Sequence, residues 1–285
     1  MKSVCNLPVE QQLYSVFCET VAKYELLSGI EKIVFLFSGG KDATLGLFFL
    51  NKYLKERELP ISLEALMVAY PKHVYYIEDG TEADCFVETK EFWEEQQVNM
   101  KIFDSKESDF KDDEEGACKI CKSARKDIVD KYLHSYIGNR NTAIVTGYTL
   151  YDALAYMDEI CLVSNFDFNN LSPKDAVTMN RVKNCLHKMK AKEILPNGLT
   201  IIRPLIAMKE NMIMDAVVNL NIPYVSRGCK AAINKHKREY FKVLNVASPI
   251  NNATYEGLLN FLAKINIDLP ETFEDVELGN YFTDC

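Results

Sequence analysis

The stretch FLFSGGKDATLGLFF, residues 35–49, decides how the rest of the chain is read. Three apolar residues run into Ser38, Gly39, Gly40, Lys41 and Asp42, and a second apolar run follows almost at once. A strand that ends in a glycine turn and feeds a helix start is an anion site on physical grounds. Successive backbone N–H groups and the positive end of the helix dipole converge there. Gly39 and Gly40 let the backbone approach an anion with no Cβ in the way, Ser38 adds a hydroxyl donor, and Lys41 neutralises charge as a point cation. Triphosphate is the natural guest. The spacing is neither that of the common NTPase loop nor that of the dinucleotide fingerprint.

Outward from the turn, Lys32 to Phe37 reads as a strand apolar on both faces, as expected of a central parallel strand. A helix is expected from about Thr44 to Arg57. Strands follow near 63–69, 100–103, 143–146 and 199–203, alternating with helices near 82–97, 119–136 and 152–162. That alternation predicts an α/β fold with a doubly wound parallel sheet, Rossmann-like. Leu13, Phe17, Val21 and Tyr24 recur at helical spacing, so residues 1–28 are expected to form a helix packed on the sheet beside the first strand. Residues 29–206 then form the nucleotide-binding α/β domain. Residues 207–285, with helices near 209–220, 231–244 and 255–265, form a C-terminal helical extension. The segment 164–180 reads as a long loop, and the charged run DSKESDFKDDEEG, 104–116, as solvated surface.

The chain has 285 residues, ordinary globular composition and a formal charge of -8. Nothing in that balance attracts nucleic acid globally, because phosphate binding needs clusters of Lys and Arg. A local basic patch is compatible with it. Apolar runs fall far short of the ~20 residues that span a bilayer, and Glu10 and Glu19 interrupt what an export signal would need. A cytoplasmic protein with no membrane partner is expected.

Nine cysteines in such a chain read as reduced thiols or ligands. Cys118 and Cys121 form a C-x-x-C at the start of an expected helix, where thiolates serve as metal ligands or nucleophiles. A structural zinc site would want a second such pair, and none is present. Cys229 in IPYVSRGC again stands ahead of an expected helix. Three cysteines suit an iron–sulfur cluster with one open iron, or a redox-active trio carrying persulfide sulfur.

The string SGGKD after a hydrophobic strand resembles the pyrophosphatase loop of the N-type ATP pyrophosphatases, the PP-loop proteins of the HUP type. The order SGGKD, CKIC, GYTLYDALAY, IIRPL, IPYVSRGC, over roughly residues 30–245, is similar to the tRNA-thiolating branch of that family, the two-thiocytidine synthetase type. The resemblance implies that ATP is cleaved to AMP and pyrophosphate. It assigns Ser38, Gly39, Gly40, Lys41, Asp42 and Thr44 to the phosphates, Val68 to the adenine and Gly147 to the nucleotide, with Asp42 and Asp152 on Mg2+. Cys118, Cys121 and Cys229 would hold a [4Fe-4S] cluster, Cys121 and Cys229 acting with Lys41, Asp42 and Asp152 in catalysis. The chain departs from the family at Ala43, where serine is usual and Thr44 stands next. It departs again at Gly147–Asp152, where both histidines and one acid of G-H-H-x-D-D are missing.

Adenylation converts a carbonyl oxygen into a phosphate ester, so that AMP leaves when sulfur attacks. The expected function is therefore an ATP-dependent sulfurtransferase acting on a nucleobase carbonyl, in tRNA or in a small nucleobase-like molecule. Sulfide or a cysteine desulfurase would supply the sulfur, and a homodimer is common among relatives. Lys119, Lys122, Arg125, Lys126, Arg227, Lys230, Lys235, Lys237 and Arg238 gather around the proposed cysteines, as a tRNA enzyme would need. The same loop also serves ammonia-using ligases, and would suit a nucleotide-binding protein without turnover.

Overall fold

The computed structural model describes residues 7–109, 116–163, 182, 184–195, 197–229, 231, 236–247, 250 and 253–264. Six strands form one sheet: β1 Lys32–Leu36, β2 Ser62–Val68, β3 Asn99–Phe103, β4 Thr142–Val145, β5 Lys192–Ile194 and β6 Thr200–Ile202. Their order is β3-β2-β1-β4-β6-β5. The first five pair in parallel, with Phe35 level with Ala65 on one side and Val145 on the other, and β5 runs antiparallel to β6 at the edge. This is the Rossmann-like α/β sheet expected from the alternation.

In β1, Ile33, Val34 and Phe35 are all fully buried. Because alternate residues of a strand face opposite sides, Ile33 and Phe35 join one apolar cluster while Val34 joins the other. A continuous apolar run is what a strand covered on both faces requires. The helices supplying that cover are α1 Val9–Lys23, α2 Lys41–Glu56, α3 Lys72–Tyr75, α4 Asp84–Glu95, α5 Ala117–His134, α6 Leu150–Val163, α7 Ile213–Asn219, α8 His236–Ala247 and α9 Thr254–Lys264.

Helix α1 packs on α2 and α7. Phe17 meets Phe49 and Tyr53 edge-on, with centroids 5.8 and 5.9 Å apart, so the helix is held by aromatic packing rather than resting on β1 alone. The chain past β6 folds back over the same layer. Tyr255 donates to the Met189 carbonyl at 2.6 Å, and Glu256 accepts from Tyr24 at 2.5 Å and from Lys23 at 2.6 Å.

Two expectations are corrected. The short strand β5 has no apolar run of its own, and it is held by its pairing with β6 and by Glu193. Glu193 is buried with His187 and lies 3.6 Å from the Arg203 guanidinium. Arg203, at the end of the strand expected near 199–203, is fully buried where a strand-end arginine is ordinarily solvated, and donates to the Lys190 carbonyl at 2.7 Å. The expected loop at 164–180 and the acidic tail lie outside the described residues. Among the described residues no helix is long and apolar enough to cross a membrane.

Candidate active site

The C-terminal ends of the central parallel strands enclose a cavity of about 390 Å³. Ser38, Gly40 and Asp42 line it from the turn, Leu66 and Val68 from β2, and Thr146, Gly147, Tyr148 and Asp152 from the β4–α6 connection. Open parallel sheets place ligands at this end of their strands, where the loops diverge. Of the residues expected from sequence, Ser38, Gly40, Asp42, Val68, Gly147 and Asp152 thus meet at one cavity. Gly39, Lys41, Thr44 and the three cysteines are not in its lining.

The turn is built by backbone. Gly40 is the N-cap of α2 in extended conformation, and no side chain caps the helix, so the first N–H groups are left for another acceptor. Gly39 has φ +77°, and a Cβ there would stand 2.7 Å from Val225 Cγ2. The Val225 N–H donates to the Gly39 carbonyl at 2.8 Å, so the strictness of this glycine comes from the 222–229 segment packed on it. Gly40 differs: a Cβ would meet only Ser38 Oγ, at 3.6 Å. Among the described residues nothing demands that glycine, and its open side is free for close approach to the backbone.

Thr44 is fully buried, and its hydroxyl donates back to the Gly39 carbonyl at 3.4 Å. It braces the turn and does not replace the serine hydroxyl missing at Ala43. Ala43 has its own constraint, because a Cβ on Gly147 would lie 3.2 Å from the Ala43 backbone. The two connections therefore touch through small residues, closing the cavity floor.

Lys41 Nζ lies 2.8 and 2.9 Å from the Asp42 carboxylate and 2.6 Å from Glu210 Oε1. Burial works against the Lys41 charge, but the Asp42 and Glu210 carboxylates outweigh it and raise its pKa. Asp42 is pushed up to about 7, first by burial and then by the charges of Glu210 and Asp152, with Lys41 opposing. Glu210 is the residue that sequence reasoning missed. It lies 169 positions from Lys41, and no spacing marks it. The helix expected from Lys209 begins only at Ile213; an extended Lys209 and a single 3-10 turn, Glu210–Met212, precede it and set the acid against Lys41. Its second oxygen, Oε2, is buried with no hydrogen-bond partner.

Asp152 has two roles. Its Oδ2 accepts from the Thr149 N–H at 2.8 Å and the Thr149 hydroxyl at 3.2 Å, a capping-box arrangement that starts α6 while the carboxylate lines the cavity. Thr146, 5% exposed, contributes a buried Oγ1 with no partner to the same cavity. Neither it nor Tyr148 was singled out in the sequence, where the first read as a strand end and the second as a departure from a motif.

Cys121 is buried and Cys118 and Cys229 are half-buried. Cys121 belongs to the apolar cluster that also contains Leu66, Val68 and Val129, and Cys229 packs against that cluster. Those three apolar residues also line the cavity, so Cys121 and Cys229 belong to the packing behind its wall. Among the described residues, however, no group of three or more His, Cys, Asp or Glu could hold a metal ion. The donor arrangement therefore does not fit the expected cluster. Asp42 and Asp152 fit Mg2+ in a different sense, as one or two carboxylates that share the ion with substrate phosphates. Of the basic residues expected at a tRNA surface, Arg125 lines this cavity, while Lys230 and Lys235 lie outside the described residues.

The fold is a Rossmann-like α/β sheet, five strands parallel and one antiparallel at the edge, with the SGGKD turn at the C-terminal end of its central strand. The structure is similar to that of the U34-tRNA thiolase NcsA from Methanococcus maripaludis with its [4Fe-4S] cluster. The TM-score is 0.64 at 18% identity, covering 95% of this chain and 88% of that one. Weaker similarities are to the NH3-dependent NAD synthetase of Campylobacter jejuni (TM-score 0.39, 14% identity, 93% and 97% covered) and to FMN adenylyltransferase of Candida glabrata (0.42, 14%, 96% and 90%). No family profile and no curated protein sequence matches the chain.

Proposed function

We propose that the protein is an ATP-dependent sulfurtransferase that adenylates a nucleobase carbonyl and replaces its oxygen with sulfur. The observation that carries this reading is the shared wall. Leu66, Val68 and Val129 line the cavity beside the SGGKD turn and also pack in the cluster that includes Cys121, with Cys229 against it. On this reading the side chains that wall the nucleotide also pack with the thiols.

In this mechanism the uncapped N–H groups of α2 and Ser38 hold the phosphates, and Lys41 leaves its two carboxylates to meet the phosphate charge. Asp42 and Asp152, both in the cavity lining, are the residues that would hold Mg2+, and the ion would supply positive charge for the phosphates. The acceptor oxygen attacks the α-phosphorus and pyrophosphate leaves; catalysis is positioning and charge stabilisation. Sulfur from an external donor then attacks the adenylated carbon, and AMP departs carrying the former carbonyl oxygen.

The test uses an acceptor labelled with heavy oxygen at the carbonyl, offered as free pyrimidine nucleotides and as unmodified tRNA, with ATP and sulfide. Sulfurtransfer predicts labelled AMP and a product whose mass reflects sulfur in place of oxygen. A product that gains nitrogen when ammonia is supplied supports the ligase reading. ATP binding with no pyrophosphate release supports a nucleotide-binding protein without turnover.

A further inference from the structure

A second cavity, of about 870 Å³, shares no lining residue with the first, and none of the nucleotide or cysteine residues expected from the sequence lines it. Its walls come from the segment after β2, from the start of the 104–116 run and from Arg227–Gly228. Two contacts tie it to the SGGKD turn. The Tyr75 hydroxyl donates to the Ser38 carbonyl at 3.1 Å, and the 222–229 segment bonds to Gly39 through Val225 before reaching Arg227. The next residue is Cys229. The second cavity thus sits where the turn and the third cysteine are joined by a few residues of chain.

Its frame is fixed by internal bonds. Asp109 accepts from the backbone N–H groups of Lys72 and His73 at 3.0 and 2.8 Å, and lies 2.7 Å from His73 Nδ1. Asp104 accepts from the Tyr76 hydroxyl at 2.5 Å. The start of the 104–116 run, expected to be solvated, is therefore a wall. Those two acids are engaged, Glu78 is the third acid of the lining, and Lys72 and Arg227 are its long cationic side chains. Lys72 Nζ has no bonding partner among the described residues, and Arg227 uses one nitrogen, at 3.1 Å, on the Tyr76 carbonyl.

We propose that this cavity is the acceptor pocket, and that it takes a small molecule whose carboxylate or phosphate is held by Lys72 and Arg227. Its volume falls within the ~300–1,000 Å³ of small-molecule sites, and apolar surface from Ile77 and the Tyr76 ring is available to a base or ring. The proposal rests on the adenylating reading, since an acceptor must be held beside the activated phosphate.

The test is titration of the full chain, first saturated with the non-hydrolysable analogue AMPCPP, with UMP, orotate, uridine and a short RNA hairpin. UMP carries the phosphate, orotate the carboxylate and uridine neither. The expected result is binding of UMP or orotate at least tenfold tighter than uridine, reduced at least tenfold by Lys72→Ala and by Arg227→Ala, with AMPCPP affinity unchanged. Lys72→Ala removes an ammonium group with no bonding partner among the described residues, so it separates the effect from misfolding. Equal binding of uridine, insensitivity to both variants, binding of the hairpin alone, or no binding by an AMPCPP-loaded protein overturns the proposal. Failure to bind AMPCPP at all overturns the adenylating reading instead.

Discussion

In the SGGKD turn, residues of one strand, one turn and one helix meet at a cavity with residues of the β4–α6 connection, whereas of the three cysteines only Cys121 and Cys229 share an apolar cluster, and among the described residues no metal-holding group forms. The difference lies in what builds each site. The turn's chemistry is backbone N–H groups and a helix end, and a contiguous segment of 15 residues dictates both. The cysteine site needs α5 and the 222–229 segment to arrive together, and each depends on packing elsewhere. A site made of backbone is assembled when the strand and helix form; one made of side chains from distant segments is not.

The sharpest way to break this contrast is to remove charge from one side and sulfur from the other. Lys41→Ala is expected to lower pyrophosphate release by about 10²–10³-fold, the scale of losing one group that stabilises developing charge. The triple replacement Cys118→Ala, Cys121→Ala and Cys229→Ala is expected to keep AMPCPP binding, and to lower the yield of thiolated product if donor sulfur reaches the adenylate by way of these thiols. A triple variant that still thiolates would detach the cysteines from the reaction.

Next in size is the pair of adjacent glycines. Gly39→Ala combines a positive φ with a 2.7 Å approach to Val225 and is expected to cost about 1–3 kcal/mol of stability, read as a lower Tm. Gly40→Ala has ordinary space and is expected to melt like the parent but bind AMPCPP more weakly. The reverse pattern would show that Gly40, not Gly39, holds the turn together.

A smaller effect follows from Asp42, whose pKa is raised from 3.8 to about 7. The folded chain holds this proton more tightly than the unfolded one, so the stability it contributes is complete below 3.8 and is lost as pH rises to about 7. Asp42→Asn should therefore raise the Tm of the ligand-free protein by a few degrees at pH ~8 and by little at pH ~4, while abolishing turnover. Because the Glu210 charge helps raise Asp42, Glu210→Gln should shift the acid limb of pyrophosphate release to lower pH. An unmoved limb would mean that Asp42 does not govern it.

What the sequence made legible follows the same division. Strands β1, β4 and β6 were readable because burial on both faces demands continuous apolar runs such as Ile33–Phe35, whereas β3, half-exposed along its length, was read from its place in the alternation. β5 was not, since Lys192, Glu193 and Ile194 owe their strand conformation to β6 and a buried ion pair. Ser38, Gly40 and Asp42 were readable within one motif, and Gly147 and Asp152 within another. Glu210, Thr146 and Asp109 carried no local signal: each acquires its place from a contact that only the folded chain creates.

The cysteines themselves give the smallest and most discriminating prediction. Cys121 is 5% exposed within an apolar cluster, so Cys121→Ala should cost about 1 kcal/mol through lost packing alone, whatever its chemistry. Cys118, one turn earlier on α5 and half-buried, should cost no more than ~0.5 kcal/mol on the same ground. Both losses are expected under aerobic and anaerobic conditions alike if the thiols act as side chains in a packed wall. If anaerobic purification raises the Tm of the parent and neither single variant retains that gain, the two residues share a ligand. The contrast between the turn and the cysteines would then reflect a site that is completed only when that ligand is bound.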